Sequence, residues 1–220
     1  MASMLDEGIK SQIREVFVEL KHPVDIMFFG SETENCEYCK DTLELLKDVV
    51  AISDKLSLQS FNLEESPEIA QKYQVDKAPG IVLLYGGDST NLGIRFAGIP
   101  AGHEFTSLIN DIVFVSQRES GLAPETREAL SQLDQNVLLQ VFVTPSCPYC
   151  PRAVILAHQL AMESPFIQAE MVEAMEFAEL SDRFNVSGVP HTIINSGKGE
   201  VVGAVPESHL IKEILQAVSA

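Results

Sequence analysis

The chain has 220 residues, and 15 Lys+Arg against 32 Asp+Glu leave a net charge of −17. That balance argues against partners recognised through Lys and Arg, namely nucleic acid and anionic membrane surfaces. With 45% apolar and 21% charged residues the chain is built to fold, and its length allows two units of about 110 residues.

From the N-terminus, Met1 to Lys10 includes Asp6 and Glu7 and lacks a basic start followed by an apolar stretch. This reads as a chain without a secretory signal, placed in the cytosol. No apolar run approaches the roughly 20 residues needed to span a bilayer. Leu5, Ile9, Ile13, Val16, Phe17 and Leu20 recur at helical spacing. Val24–Phe29 is a short apolar run, interrupted only by Asp25, as in a strand covered on both faces. A helix is predicted from Cys39 to about Leu56, a strand at Leu58–Phe61, and a short helix opened by Pro67. Ile81–Tyr85 and Ile94–Ala97 form a hairpin around Gly86-Gly87-Asp88, and a helix follows from Gly102 to Val115. The second half repeats the order. It has a helix near Glu125–Leu133, a strand Val137–Val143, a helix Cys150–Met162 and a strand Phe166–Val172. A helix Phe177–Phe184, strands Thr192–Asn195 and Glu200–Ala204, and a helix Glu207–Val218 complete it. The expected class is α/β, with a mixed sheet flanked by helices in each half.

The repeat extends to the chemistry. The four cysteines form two close pairs, Cys36/Cys39 and Cys147/Cys150. Each first cysteine precedes a proline by the same interval, since 79 − 36 and 190 − 147 both equal 43. Pro100-Ala101-Gly102-His103 is echoed by Pro206-Glu207-Ser208-His209. Units are therefore expected at residues 1–117 and 118–220, divided in the polar run beginning at Ser116.

Each pair follows a strand and opens a helix, where free N–H groups and the helix dipole stabilise an anion. That setting lowers a thiol pKa from about 8.5 into the range of about 3.5–7.5. Cys36 or Cys147 would attack a disulfide, and Cys39 or Cys150, one turn on, would resolve the mixed disulfide. Pro79 and Pro190, if cis, would expose the backbone of Ala78 and Val189 for pairing with an extended client strand. Tyr38 and Tyr149, at the loop tips, are candidate contacts for client chains. Two other readings stand beside exchange. One is a zinc site built from all four cysteines, although ribbon-type sites place their pairs about 15–20 residues apart. The other is a non-catalytic module that only binds partners.

Thr144-Pro145-Ser146-Cys147-Pro148-Tyr149-Cys150 resembles the glutaredoxin active site, and Val189-Pro190 is similar to the cis-proline of thioredoxin folds. Over nearly its whole length the chain resembles the protein disulfide oxidoreductases of thermophilic archaea and bacteria, also called glutaredoxin-like proteins. The resemblance implies tandem thioredoxin-like folds with one C-x-x-C each, and reduction, oxidation and isomerisation of protein disulfides without a bound cofactor or metal. It also implies a thioredoxin-reductase-like flavoenzyme as electron donor. Where thioredoxins place Trp, before the first cysteine, this chain has Asn35 and Ser146. Where thioredoxins carry a buried acid, counting back six residues gives Gly30 and Val141.

The two sites are expected to differ. Glu37 disfavours a thiolate at Cys36, partly offset by Lys40, whereas Pro148 stiffens the second loop. Cys147 should be the more reactive. His103 and His209 read as helix starts, His158 as a packed or solvent-facing residue, and His191 as a candidate substrate contact. Glu64-Glu65 reads as solvated surface.

Overall fold

A computed structural model describes residues 4–32 and 36–219; Asn35 lies outside them. The first half runs α1 (Glu7–Phe17), β1 (Val24–Gly30), α2 (Cys39–Val50), β2 (Leu56–Asn62), α3 (Pro67–Tyr73), β3 (Gly80–Tyr85), β4 (Thr90–Ala97) and α4 (Glu104–Gln117). The second runs α5 (Pro124–Leu130), β5 (Val137–Val143), α6 (Cys150–Glu163), β6 (Ile167–Glu173), α7 (Ala178–Arg183), β7 (His191–Ile194), β8 (Gly199–Val202) and α8 (Glu207–Ser219). Among the described residues no helix is long and apolar enough to cross a membrane.

Local chemistry explains most of these boundaries. Asp6 caps α1 by accepting a hydrogen bond from the Ile9 N–H at 2.9 Å. Proline occupies the first turn of α3 and α5, where its missing N–H leaves no helical bond unmade. The helix predicted to about Leu56 stops at Val50 instead, because Leu56 begins β2 opposite Val24. Apolar residues continue past Val50 at Ile52 and Leu56, and strand pairing at Leu56 overrides that local pattern.

The mixed sheet expected in each half is present, but the two are continuous. A single eight-stranded sheet has the order β2-β1-β3-β4-β6-β5-β7-β8. Within each half, the strand carrying the Cys pair at its end (β1 or β5) pairs in parallel with the next strand and antiparallel with the third. The halves meet where β4 and β6 pair in parallel, Ile94 to Ala97 opposite Ala169 to Val172. Both would otherwise be open edges with unpaired backbone groups.

Side chains alternate across this sheet. On one face Val24, Ile26 and Phe28 enter a core shared by both halves and covered by α1, α2, α4, α5, α6 and α8. On the other face α3 covers Met27 and Phe29, and α7 covers Phe142 and Val172, as two separate clusters. Between those clusters lies a buried polar row. Glu170 meets Lys77 at 3.0 Å, the Gln140 amide at 2.9 Å and the Arg95 guanidinium at 3.8 Å. Arg95 also donates to the Gln74 carbonyl at 2.6 Å. Burial works against the Lys77 ammonium, but Glu170 and Asp76 hold its pKa above the ordinary lysine value.

Candidate active site

The two cysteine pairs occupy matching places at the ends of β1 and β5. Helix α2 begins at Cys39 and α6 at Cys150, so each second cysteine sits in a first helical turn. Both pairs are closed as disulfides, with Cα atoms 5.4 Å apart at Cys36–Cys39 and 5.5 Å apart at Cys147–Cys150. The Ala78–Pro79 and Val189–Pro190 bonds are both cis. The Pro79 carbonyl accepts from the Gly98 N–H and that of Pro190 from the Gly203 N–H, each at 2.8 Å. Among the described residues no group of three or more His, Cys, Asp or Glu side chains could hold a metal ion.

The environments of the pairs differ. Cys147 is 8% exposed and Cys150 is 0% exposed. The Cys150 N–H points at Cys147 Sγ, 3.1 Å away, as a helix N-terminus serving a sulfur anion would. The loop before this pair is held by the first half: the His103 N–H donates to the Pro145 carbonyl at 2.9 Å. Gly102, at φ +59°, is required there because a Cβ would collide with that carbonyl.

Cys36 opens instead onto a cleft of about 470 Å³. The expected residues Cys36, Tyr38, Ala78 and Pro79 line it together. Its far wall comes from the other half: Pro145, Glu173, Met175 and Glu176. Cys39 lies deeper, over Gly30, where a Cβ would stand 3.7 Å from its sulfur. Glu176 reaches back to accept a hydrogen bond from the Ile99 N–H at 2.7 Å. Gly98, at φ +96°, allows that approach, since a side chain there would strike Glu173 and Glu176. Burial pushes the Glu176 pKa up to about 7, against the Ile99 hydrogen bond, and Glu173 and Glu37 add to the rise. The Glu37 charge, followed by partial burial, raises the Tyr38 phenol.

Other expected residues fall elsewhere. Tyr149 is 65% exposed and does not line the cleft beside Cys36. Val189 packs against the core that contains Cys147 and Cys150. His191 is buried, with Nε2 3.2 Å from Glu200. His103 immediately precedes α4, and His209 lies in the first turn of α8.

Sequence reading passed over a buried acidic group between α4 and α6. His158 and Asp111 are fully buried, with Nδ1 and Oδ2 2.6 Å apart. Glu104, 1% exposed, accepts from the Ser107 hydroxyl at 2.6 Å. Burial pushes its pKa up to about 7, opposed by the Ser107 hydrogen bond and His158, with Asp111 adding to the rise. Burial likewise raises Asp111, against the nearby His158. Neither acid belongs to a strand beneath a cysteine pair, so counting back from the cysteines could not find them. The one signal was Glu104's position after the repeated Pro-x-x-His.

Known proteins are similar to this chain in sequence and fold. A thioredoxin domain model matches residues 137–216. The crystal structure of a protein disulfide oxidoreductase from Aeropyrum pernix is 34% identical with a TM-score of 0.86, over 96% of this chain and 94% of that one. A structure of AhpF, a component of alkylhydroperoxide reductase, from Enterococcus faecalis is 25% identical with a TM-score of 0.87, over 96% and 99% of the respective chains. Among curated proteins, the corresponding alkyl hydroperoxide reductase component from Escherichia coli is 28% identical over 212 residues, and that from Pseudomonas aeruginosa is 26% identical over 200. These cover 96% and 91% of this chain but 37% and 35% of the relatives, so the chain spans about a third of their length.

Proposed function

The chain belongs to the thioredoxin-fold disulfide oxidoreductases, and from that premise we propose that it exchanges disulfides with protein clients at both cysteine pairs. The observation carrying this reading is the duplicated placement of a closed C-x-x-C at a helix start, with a proline loop at the same sequence interval. In the reducing direction the thiolate of Cys36 or Cys147 attacks one client sulfur. The client S–S bond breaks, and the departing sulfur takes a proton. The Cys39 or Cys150 thiolate then attacks the mixed disulfide and releases the second client thiol. Two electrons and two protons pass to the client, and the pair is left as its disulfide. Run backward, the same steps oxidise a client; stopped at the adduct and restarted on another sulfur, they isomerise one.

In this reading each half, 1–117 and 118–220, is one redox unit. Ala78 and Val189, set by Pro79 and Pro190, offer backbone to the client strand, and Tyr38 and Tyr149 border it. A thioredoxin-reductase-like flavoenzyme re-reduces the pairs in the cytosol. The likeness to AhpF favours a second use of the same chemistry, the supply of electrons to a hydroperoxide-reducing partner.

Reduction of insulin by dithiothreitol, followed as turbidity, tests the proposal. The chain should accelerate precipitation, and Cys36→Ser with Cys147→Ser should abolish the acceleration. No acceleration by the unaltered chain would leave a binding module in place of an enzyme.

A further inference from the structure

The cleft beside Cys36 presents Glu37 and Asp41 from its own half and Glu173 and Glu176 from the other. With a net charge of −17, exposed acids come without any selection for a site. Glu173 is different. It is 4% exposed, and its Oε1 is buried without a hydrogen-bond partner among the described residues. Its other oxygen closes the turn after β6, accepting from the N–H groups of Met175 at 3.0 Å and Glu176 at 2.6 Å. The matching turn in the first half shows what that job requires. After β2, Asn62 accepts from the Glu64 and Glu65 N–H groups at 2.9 and 3.0 Å with a single neutral oxygen. A carboxylate at 173 is therefore more than the turn needs, and its spare oxygen belongs to a residue lining the cleft.

An unpaired buried carboxylate oxygen costs free energy that a cation donor would recover. The rest of the lining indicates which cation. Ile99, Ala101, Pro145 and Met175 supply apolar surface along which an aliphatic stem can lie, and the lining contains no Lys or Arg. A long side chain ending in charge fits this surface, and among the described residues no three His, Cys, Asp or Glu side chains converge as a metal site would require.

Resting on the exchange reading above, we propose that the Cys36 site selects client disulfides with an Arg or Lys beside the attacked half-cystine, its cation received by Glu173 at the wall supplied by the second half. Specificity at the first pair is thus set by the other half of the chain, through the continuous sheet that joins them.

The test uses the chain with Cys147→Ser and Cys150→Ser, so that only the first pair reacts, with dithiothreitol as reductant. Three disulfide-linked peptides carry Arg, Gln or Glu next to cysteine. Each rate is divided by that of dithiothreitol alone, which removes the peptides' intrinsic reactivity. The Arg peptide should exceed the Gln peptide in kcat/KM by about tenfold, equivalent to about 1.4 kcal/mol, with the Glu peptide slowest. Added salt should shrink the ratio, and Glu173→Gln should bring it close to one. Equal ratios for Arg and Gln, or a preference that survives Glu173→Gln, would overturn the proposal while leaving exchange at this pair intact. Failure of all three peptides to react would overturn both. If Glu173→Gln does not fold, the ratio in the parent chain and its salt dependence decide the matter.

Discussion

Replacing Glu104 by Gln isolates one charge at the junction of the halves. In the folded chain its pKa stands at about 7 against an ordinary value of 4.5, with burial as the main cause. At 1.36 kcal/mol per pH unit, that rise corresponds to about 3 kcal/mol. For a carboxyl whose folded value is raised, the folded state favours the neutral form. Below about pH 4.5 both states hold the proton, and no penalty exists. Between about pH 4.5 and 7 the unfolded chain ionises first, so stability falls as pH rises; above about pH 7 the full penalty is present. Gln cannot ionise. Its stability relative to the parent should therefore rise by about 3 kcal/mol from about pH 4.5 to about pH 8, whatever constant cost the amide brings. Urea unfolding across that range measures the difference, and any constant offset cancels. Parallel stability curves for the two proteins would instead mean that Glu104 ionises freely in the fold.

Other perturbations probe the remaining structure. Glu170→Ala leaves Lys77 and Arg95 without their shared carboxylate in the buried row, and should cost about 3–5 kcal/mol in urea unfolding. Gly102→Val meets the Pro145 carbonyl from a positive φ and should destabilise by about 2 kcal/mol or more. Unchanged stability would show that the loop before Cys147 moves freely away. In the reduced chain, Cys147 should react faster with iodoacetamide than Cys36 near neutral pH. The Cys150 N–H faces one sulfur, while Glu37, Asp41, Glu173 and Glu176 line the cleft of the other. Mass spectrometry of the alkylated peptides reads the order, and faster labelling of Cys36 would reverse the assignment.

Much of the frame was legible from periodicity and repeated spacing. Val24–Phe29 and Val137–Val143 read as buried strands because apolar runs, here broken only by Asp25 and Gln140, suit sheets covered on both faces, and the pairs at their ends fixed the starts of α2 and α6. The common interval from cysteine to proline brought out Pro79 and Pro190 without any structure. What escaped was everything that depends on how the halves meet. Nothing in Arg95 or Glu170 alone announces that β4 and β6 pair, so Lys77, Arg95, Gln140 and Glu170 could not be grouped. Glu173 and Glu176 read as ordinary acids until the joined sheet sets them opposite Cys36. Glu104 and His158 lie on separate helices, and only the packing of α4 against α6 buries them together. Local pattern encodes elements, whereas contacts between distant segments depend on a register that pattern does not specify.

In the proposed cycle the first cysteine of each pair attacks and the second resolves. Removing the resolving thiol should leave the covalent adduct in place. Cys39→Ser and Cys150→Ser variants, each with the other pair replaced by serine, are reduced, freed of reductant and incubated with disulfide-bonded insulin, and the products are weighed by mass spectrometry. Adducts joined through Cys36 and Cys147 should accumulate and be discharged by dithiothreitol. The absence of an adduct at both positions, under conditions where the unaltered chain reduces insulin, would contradict it.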